Sequence, residues 1–207
     1  MIKLCVFDFD STLMDGETIT IIAKAVGREK EVESITSKAM AGEIDFYESL
    51  KQRVAFLKGL DAEKTREIAA NLPFIEGAKD IISYLKAKDI KVVVFSGGFH
   101  IATDPAREKL GFDASFANYF HEKDGKLTGN VGGEMMFGDS KGKVLKELIK
   151  LLGLLKSEVV CVGDGANDIS MFKEAGMGIA FCAKPALKAV ATYCIDDKDL
   201  RRIKEYV

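Results

Sequence analysis

Two carboxylates one residue apart, Asp8 and Asp10, end the apolar run Leu4-Cys5-Val6-Phe7, and Ser11-Thr12 follow them. The β-branched and aromatic content of that run predicts a buried strand. Side chains alternate along an extended chain, so both acids point to one side, into a small volume at the strand's carboxyl end. Like charges that close need a cation or a shared proton. Three more polar groups border predicted elements. Ser96-Gly97-Gly98 follows a strand ending at Phe95, Gly163-Asp164-Gly165-Ala166-Asn167-Asp168 follows a strand ending at Val162, and Ser140-Lys141-Gly142-Lys143 opens a late helix.

Carboxylates, a hydroxyl, glycine amides and a lysine at one sheet edge suit phosphoryl transfer. A carboxylate attacking a phosphate ester meets like-charge repulsion, so a hard cation held by Asp8 and Asp164 must neutralise both, and oxygen-only ligands favour magnesium. Asp8 is then the nucleophile, forming an aspartyl-phosphate. Asp10 gives the leaving oxygen its proton and later takes one from water. Ser96, the N–H groups around Gly97 and the Lys141 ammonium hold the phosphoryl oxygens. Asp168 and Asn167 orient the metal's waters or Lys141 from behind. Lys143 offers a second ammonium; Lys141 is preferred, with Lys143 a solvated helix residue. Alone, Asp-x-Asp-x-Thr arises by chance in roughly one chain in thirty of this size; the meaning lies in all three sets following strands.

The elements that must position these groups are readable in order. Four amphipathic pieces follow Thr12: about 16 to 26, 29 to 41 closed by Gly42, 45 to 58, and 61 to 72 ended by Pro73. Asp45 and Glu48 resemble a capping box, and Asp61 an N-cap. From Glu76 the chain alternates: helix 77 to 88, strand Ile90 to Phe95, helices 101 to 110 and 141 to 152, strand Val159 to Val162, helix 168 to 175, strand Gly178 to Phe181. That alternation predicts an α/β fold with a parallel sheet covered on both faces. Between Ala114 and Met136, two short segments around Asp124-Gly125 read as a β-hairpin. Tyr193 to Ile195 and an amphipathic helix from Lys198 close the chain.

At 207 residues, one domain or one domain with an insertion is expected. Thirty Lys and Arg against 32 Asp and Glu give a net charge of -2 and no electrostatic reason for nucleic acid or anionic lipid. No apolar run is long enough to span a membrane, so a cytoplasmic protein is expected. Cys5, Cys161, Cys182 and Cys194 lie in apolar segments without metal-site spacing and read as buried, reduced thiols. His100 and His121 read as surface or satisfied polar residues.

These motifs resemble the haloacid dehalogenase (HAD) superfamily: Asp8 to Thr12 its first motif, Ser96 its second, Lys141 its third, and Gly163 to Asp168 its fourth. Within it, DFDSTLMDGE, VFSGGF, KDGKLTG, VGDGANDISMF and AFCAKP are similar to the phosphoserine phosphatases. The resemblance implies a Rossmann-like core of residues 1–14 and 74–207, a helical-bundle cap of residues 15–73 inserted after strand 1, and a small β-hairpin excursion. It implies magnesium-dependent hydrolysis of O-phospho-L-serine, the last step of serine biosynthesis, by a monomer or homodimer. The metal ligands it implies are Asp8, Asp164 and the Asp10 backbone carbonyl.

Substrate selection then falls to the cap. Arg53 shares a helix stripe with Phe46, Leu50, Val54 and Leu57, so it turns inward and can hold a carboxylate bidentately. Glu17 can take an ammonium. Without the family, the preferred readings are favourable helix-start charge for Glu17 and, for Arg53, a snorkelling stem with a surface ion pair; the resemblance reverses that preference. Met40 and Phe46 resemble apolar residues beside the substrate, with core packing the other reading, and Gly98 and Asn167 complete the implied pocket. Two alternatives stay open: a HAD enzyme hydrolysing or transferring phosphate from another small phosphomonoester such as phosphohomoserine, and a phospho-accepting signalling domain.

Overall fold

The computed structural model of the chain describes residues 1–40, with the backbone alone for Met40, and 43–207. Strand β1 (Leu4–Asp8) is followed by helices α1 (Thr18–Ala25), α2 (Glu29–Met40), α3 (Phe46–Ala55), α4 (Ala62–Ala70) and α5 (Ala78–Ala87). Then come β2 (Lys91–Phe99), α6 (His100–Leu110), β3 (Ala114–Lys123), β4 (Lys126–Gly133) and α7 (Ser140–Leu152). The chain ends with β5 (Val159–Gly163), α8 (Ile169–Phe172), β6 (Met177–Phe181), α9 (Pro185–Lys188) and β7 (Tyr193–Ile195). The seven strands form one sheet in the order β4-β3-β2-β1-β5-β6-β7, parallel except for β4.

All five residues of β1 are buried because the strand is central and both faces are covered. Its side chains alternate between two cores. Cys5 and Phe7 pack with Val92, Val94 and the α5 residues Ile81, Ile82 and Leu85, whereas Leu4 and Val6 pack with Phe95, Cys161 and the α7 residues Leu145 and Ile149. Phe7 is fully buried, and truncation to alanine would cost about 3–5 kcal/mol. Asp8 pairs with Phe95 of β2, and Phe7 with Val162 of β5. The three polar strand ends therefore converge on one sheet edge, where open α/β sheets form their sites.

A third core lies within α1 to α4, where Ile22, Val32, Leu50, Val54 and Leu57 are buried. Phe99 from β2 and Leu127 from β4 belong to it, so these helices rest on the sheet's edge. The β3–β4 turn has Asp124 and Gly125 at φ 52 and 72, the two positive angles a tight hairpin turn needs. It docks on the helices through Ala62 N–H to Gly125 O and paired bonds between Leu127 and residues 59 and 60.

Several expectations change. The hairpin is not a small excursion: β3 and β4 span ten and eight residues and extend the main sheet. β2 runs on to Phe99, four residues past the expected end. The helix expected over 168 to 175 is a 3₁₀ turn, Ala166–Asp168, followed by α8, which stops at Phe172. The C-terminal helix is a 3₁₀ helix, Leu200–Glu205, capped by Asp199. Asp45 accepts the Glu48 N–H, but the Glu48 carboxylate turns to Lys51 and Gln52, so the box is half formed. Cys5 and Cys161 are buried, whereas Cys182 and Cys194 are exposed because β7 is an edge strand and Cys182 lies just beyond β6. His100 is satisfied, its Nε2 accepting the Ala117 N–H and its Nδ1 facing Asp104. The helix stop at Gly42 lies outside the described residues.

Candidate active site

Asp8, the last residue of β1, is 3% exposed. Its Oδ1 accepts the Phe9 N–H at 2.7 Å and lies 2.6 Å from Lys141 Nζ. Both partners sit on Oδ1, so Oδ2 is the oxygen left for the cavity. The same ammonium is 2.6 Å from Asp168 Oδ1, and Asp168 Oδ2 accepts the N–H groups of Asp164 and Gly165, each at 3.0 Å. Asp168 thereby straps the turn after β5 to Lys141. Gly163 is required there, because an added Cβ would collide with the Asp168 carboxylate. Lys143 is exposed and pairs with Asp139, so α7 turns only Lys141 inward.

Carboxylate oxygens of Asp8, Asp164 and Asp168 lie within 4.8 Å of one another. Burial, then repulsion from Asp168 and Asp164, holds the Asp8 carboxyl well above the usual range despite Lys141. Burial, then Asp168 and Glu17, pushes Asp164 up to about 6. Burial works against the Lys141 charge, but Asp168 and Asp8 outweigh it and raise the lysine's pKa. One ammonium among three carboxylates leaves negative charge unbalanced, and an all-oxygen donor set fits a hard divalent cation.

Asp10 is tied to the first turn of α1. Its Oδ1 accepts the Thr18 hydroxyl at 2.5 Å and the Thr18 N–H at 3.1 Å. A proton on Asp10 therefore sits on Oδ2. Burial, then Glu17, raises this carboxyl to about 7, against the pull of the two Thr18 bonds.

The Ser96 segment is a bulge in β2. The β2–β3 ladder pairs Phe95 with Phe116 and next Phe99 with Asn118, so β2 uses two more residues than β3 across this stretch. Ser96 is fully buried and its Oγ accepts the Gly98 N–H at 2.9 Å, which orients the hydroxyl and occupies that amide. Of the N–H groups expected to hold phosphate around Gly97, the one on Gly98 is therefore engaged within the protein. A Cβ on Gly98 would stand 2.9 Å from Asp10 Oδ2 and 3.0 Å from Ser96 Oγ, so the two side chains meet across this glycine.

A cavity of about 280 Å³ opens above these groups. Asp8, Asp10, Gly97, Gly98, Asp164 and Asn167 form its sheet side. Glu17, Phe46, Leu50 and Arg53 form its helical side. Ser96, Lys141 and Asp168 are buried behind that lining. The Phe46 ring lies over Gly97, 3.0 Å from where a Cβ would stand. Arg53 donates from Nε to Ser49 O at 3.3 Å; burial weakens its hold on its proton, and Glu17 and Asp10 strengthen it. The expected Met40 contact lies outside the described residues. Two residues escaped the sequence reading: Thr18, buried behind Asp10, and Lys184. Thr18 shows only as an ordinary residue of a helical first turn, and Lys184 lines the cavity while its N–H donates to Asp164 O at 2.8 Å.

Comparison with known proteins adds an independent line. A model of haloacid dehalogenase-like hydrolases matches residues 2–176. The phosphoserine phosphatase of Campylobacter jejuni subsp. doylei is 57% identical over 203 residues, 98% of each chain. A solved phospho-aspartyl intermediate analogue of phosphoserine phosphatase superposes with a TM-score of 0.93 at 50% identity, covering 100% of this chain and 99% of its own. A substrate-bound phosphoserine phosphatase complex superposes with a TM-score of 0.94 at 49% identity, over the same shares. With one family model spanning residues 2–176 and all three acids of the strand-end cluster inside the matched region, the chain belongs to the haloacid dehalogenase-like hydrolases.

Proposed function

We propose that this hydrolase is a magnesium-dependent phosphoserine phosphatase, converting O-phospho-L-serine to L-serine and phosphate as the last step of serine biosynthesis in the cytoplasm. The observation that carries the substrate is the charge layout of the cavity. Its floor holds Asp8 with Lys141 and Ser96 behind it, and its helical side presents Arg53 and Glu17, opposite charges for the carboxylate and ammonium of an amino acid. A volume of about 280 Å³ lies just below the roughly 300–1,000 Å³ of drug-sized ligand sites and suits a small substrate. The names of the similar proteins agree with that substrate. Among the described residues no helix is long and apolar enough to cross a membrane.

Asp8 Oδ2 attacks phosphorus, and the ester oxygen leaves with the proton from Asp10 Oδ2, giving serine and an aspartyl-phosphate. Asp10 then takes a proton from water as the water attacks phosphorus, releasing phosphate and restoring Asp8. Its pKa of about 7 suits both directions of that transfer. Ser96 and Lys141 hold the phosphoryl oxygens, and Asp168 holds Lys141. Asp8, Asp164 and the Asp10 carbonyl would hold the magnesium, which neutralises carboxylate and phosphoryl charge. Residues 15–73 act as a lid over a core of 1–14 and 74–207, with Phe46 meeting Gly97 at closure.

The test is phosphate release from phosphoserine, phosphothreonine, phosphohomoserine and an aryl phosphate, with magnesium and after chelation. A clear preference for phosphoserine, lost on chelation, is expected. Equal turnover of all four would refute the substrate assignment, and a single labelling without turnover would make the chain a phospho-acceptor.

A further inference from the structure

Asn118 lies outside the cavity, yet its side chain joins both arms that hold the phosphoryl group. It is fully buried on β3, opposite the point where the β2 bulge closes at Phe99. A bulge leaves backbone groups without ladder partners, and a buried carbonyl without a partner is costly. Asn118 Nδ2 fills that gap by donating to Gly97 O at 3.1 Å. The Gly97–Gly98 peptide is then held at both ends, by Asn118 on its carbonyl and Ser96 Oγ on its N–H.

The same amide faces Met135 as a strand would. Nδ2 donates to Met135 O at 3.2 Å, and Oδ1 accepts the Met135 N–H at 3.0 Å. Met135 is buried six residues before Lys141, and the intervening turn is closed by Phe137 N–H to Ser140 Oγ at 3.1 Å. Both amide protons and the carbonyl of Asn118 are thus used, and all its partners lie on the two segments carrying Ser96 and Lys141. The chain passes so close that a Cβ on Gly133 would lie 2.6 Å from Asn118 Cα, which fixes the amide's position.

We propose that Asn118 is a positioning residue that sets Ser96 and Lys141 in register around the transferred phosphoryl group; this rests on the reading of the cavity as a phosphomonoester hydrolase site. Loss of its donors lets the bulge shift relative to α7, and misplacement by about 1 Å costs on the order of 10²-fold in rate. The phosphoryl group is common to all substrates, so the loss falls equally on phosphoserine and an aryl phosphate.

Asn118→Asp keeps the acceptor for Met135 N–H and removes the donors to both carbonyls. The experiment measures kcat and KM on both substrates, inorganic phosphate as a competitive inhibitor, and thermal midpoint, for wild type, Asn118→Asp and Asn118→Ser. Expected is a fall in kcat of about 10²-fold on both substrates and weaker phosphate inhibition, in a variant that melts cooperatively. Wild-type kcat and phosphate inhibition in Asn118→Asp would overturn the inference while leaving the hydrolase reading intact. Absence of phosphate release by the wild-type protein would instead refute that reading. Failure of both variants to fold would assign Asn118 to folding alone and also overturn the inference.

Discussion

Thr18 gives both its hydroxyl and its backbone N–H to a single oxygen of Asp10, at 2.5 and 3.1 Å. The first turn of α1 therefore fixes the rotamer of the group proposed to move the proton, and it leaves Asp10 Oδ2 beside Gly98 and Ser96. Hydrogen bonds to charged groups contribute about 1.5–3 kcal/mol. Thr18→Val, nearly isosteric at a fully buried position, should lower kcat by about tenfold or more with little change in KM, and Thr18→Ser should restore most of it. Steady-state kinetics on phosphoserine decide the matter; an unchanged kcat in the valine variant would mean the N–H suffices.

How much of this site is legible in the sequence depends on the range of the cause. Asp8 and Asp10 could be placed because period-two alternation in a buried strand is local. Lys141 could be told from Lys143 only by which side of α7 is covered, since both ammoniums stand in the first turn of one helix. The end of β2 has no local signature: two consecutive glycines after Ser96 argue for stopping the strand at Phe95, and what carries it on to Phe99 is pairing with Asn118 on β3. Cys194 sits in apolar sequence but on the edge strand β7, a property of strand order, and Cys182 lies just past the end of β6, where the covered sheet gives out.

Asp8→Asn removes the oxygen proposed to attack and one of the two carboxylates paired with Lys141. Turnover should be abolished, and no covalent phosphate should be trapped by rapid acid quench. Because the substitution also relieves a carboxylate held by burial and by Asp168 and Asp164 far above its usual range, the metal-free variant should melt no lower than wild type at pH 8. Retention of a phosphorylated enzyme species would move the nucleophile to another residue.

Arg53 carries no predicted role toward the phosphoryl group, so its loss should discriminate between substrates. Arg53→Ala should weaken phosphoserine by about 1.5–3 kcal/mol in kcat/KM, the range for a charge-assisted contact, while sparing an aryl phosphate. A parallel loss on both substrates would make Arg53 a structural cation for Glu17 and Asp10.

Stability of the metal-free protein should fall as pH rises, opposite to the common carboxylate case. Asp164 and Asp10 have folded values of about 6 and about 7, above the roughly 3.9 of an unfolded aspartate. Between those limits these two carboxyls bind more protons folded than unfolded, so the stability they contribute is fully present below about pH 4 and is lost as pH rises through 6 to 7. A magnesium ion competing with those protons should stabilise more at pH 8 than at pH 5. About 1 kcal/mol moves the midpoint of a chain this size by roughly 2–4 °C, so calorimetry with chelator and with magnesium at both pH values resolves the difference. A magnesium effect equal at the two pH values would place the cation away from the Asp8, Asp164 and Asp168 cluster.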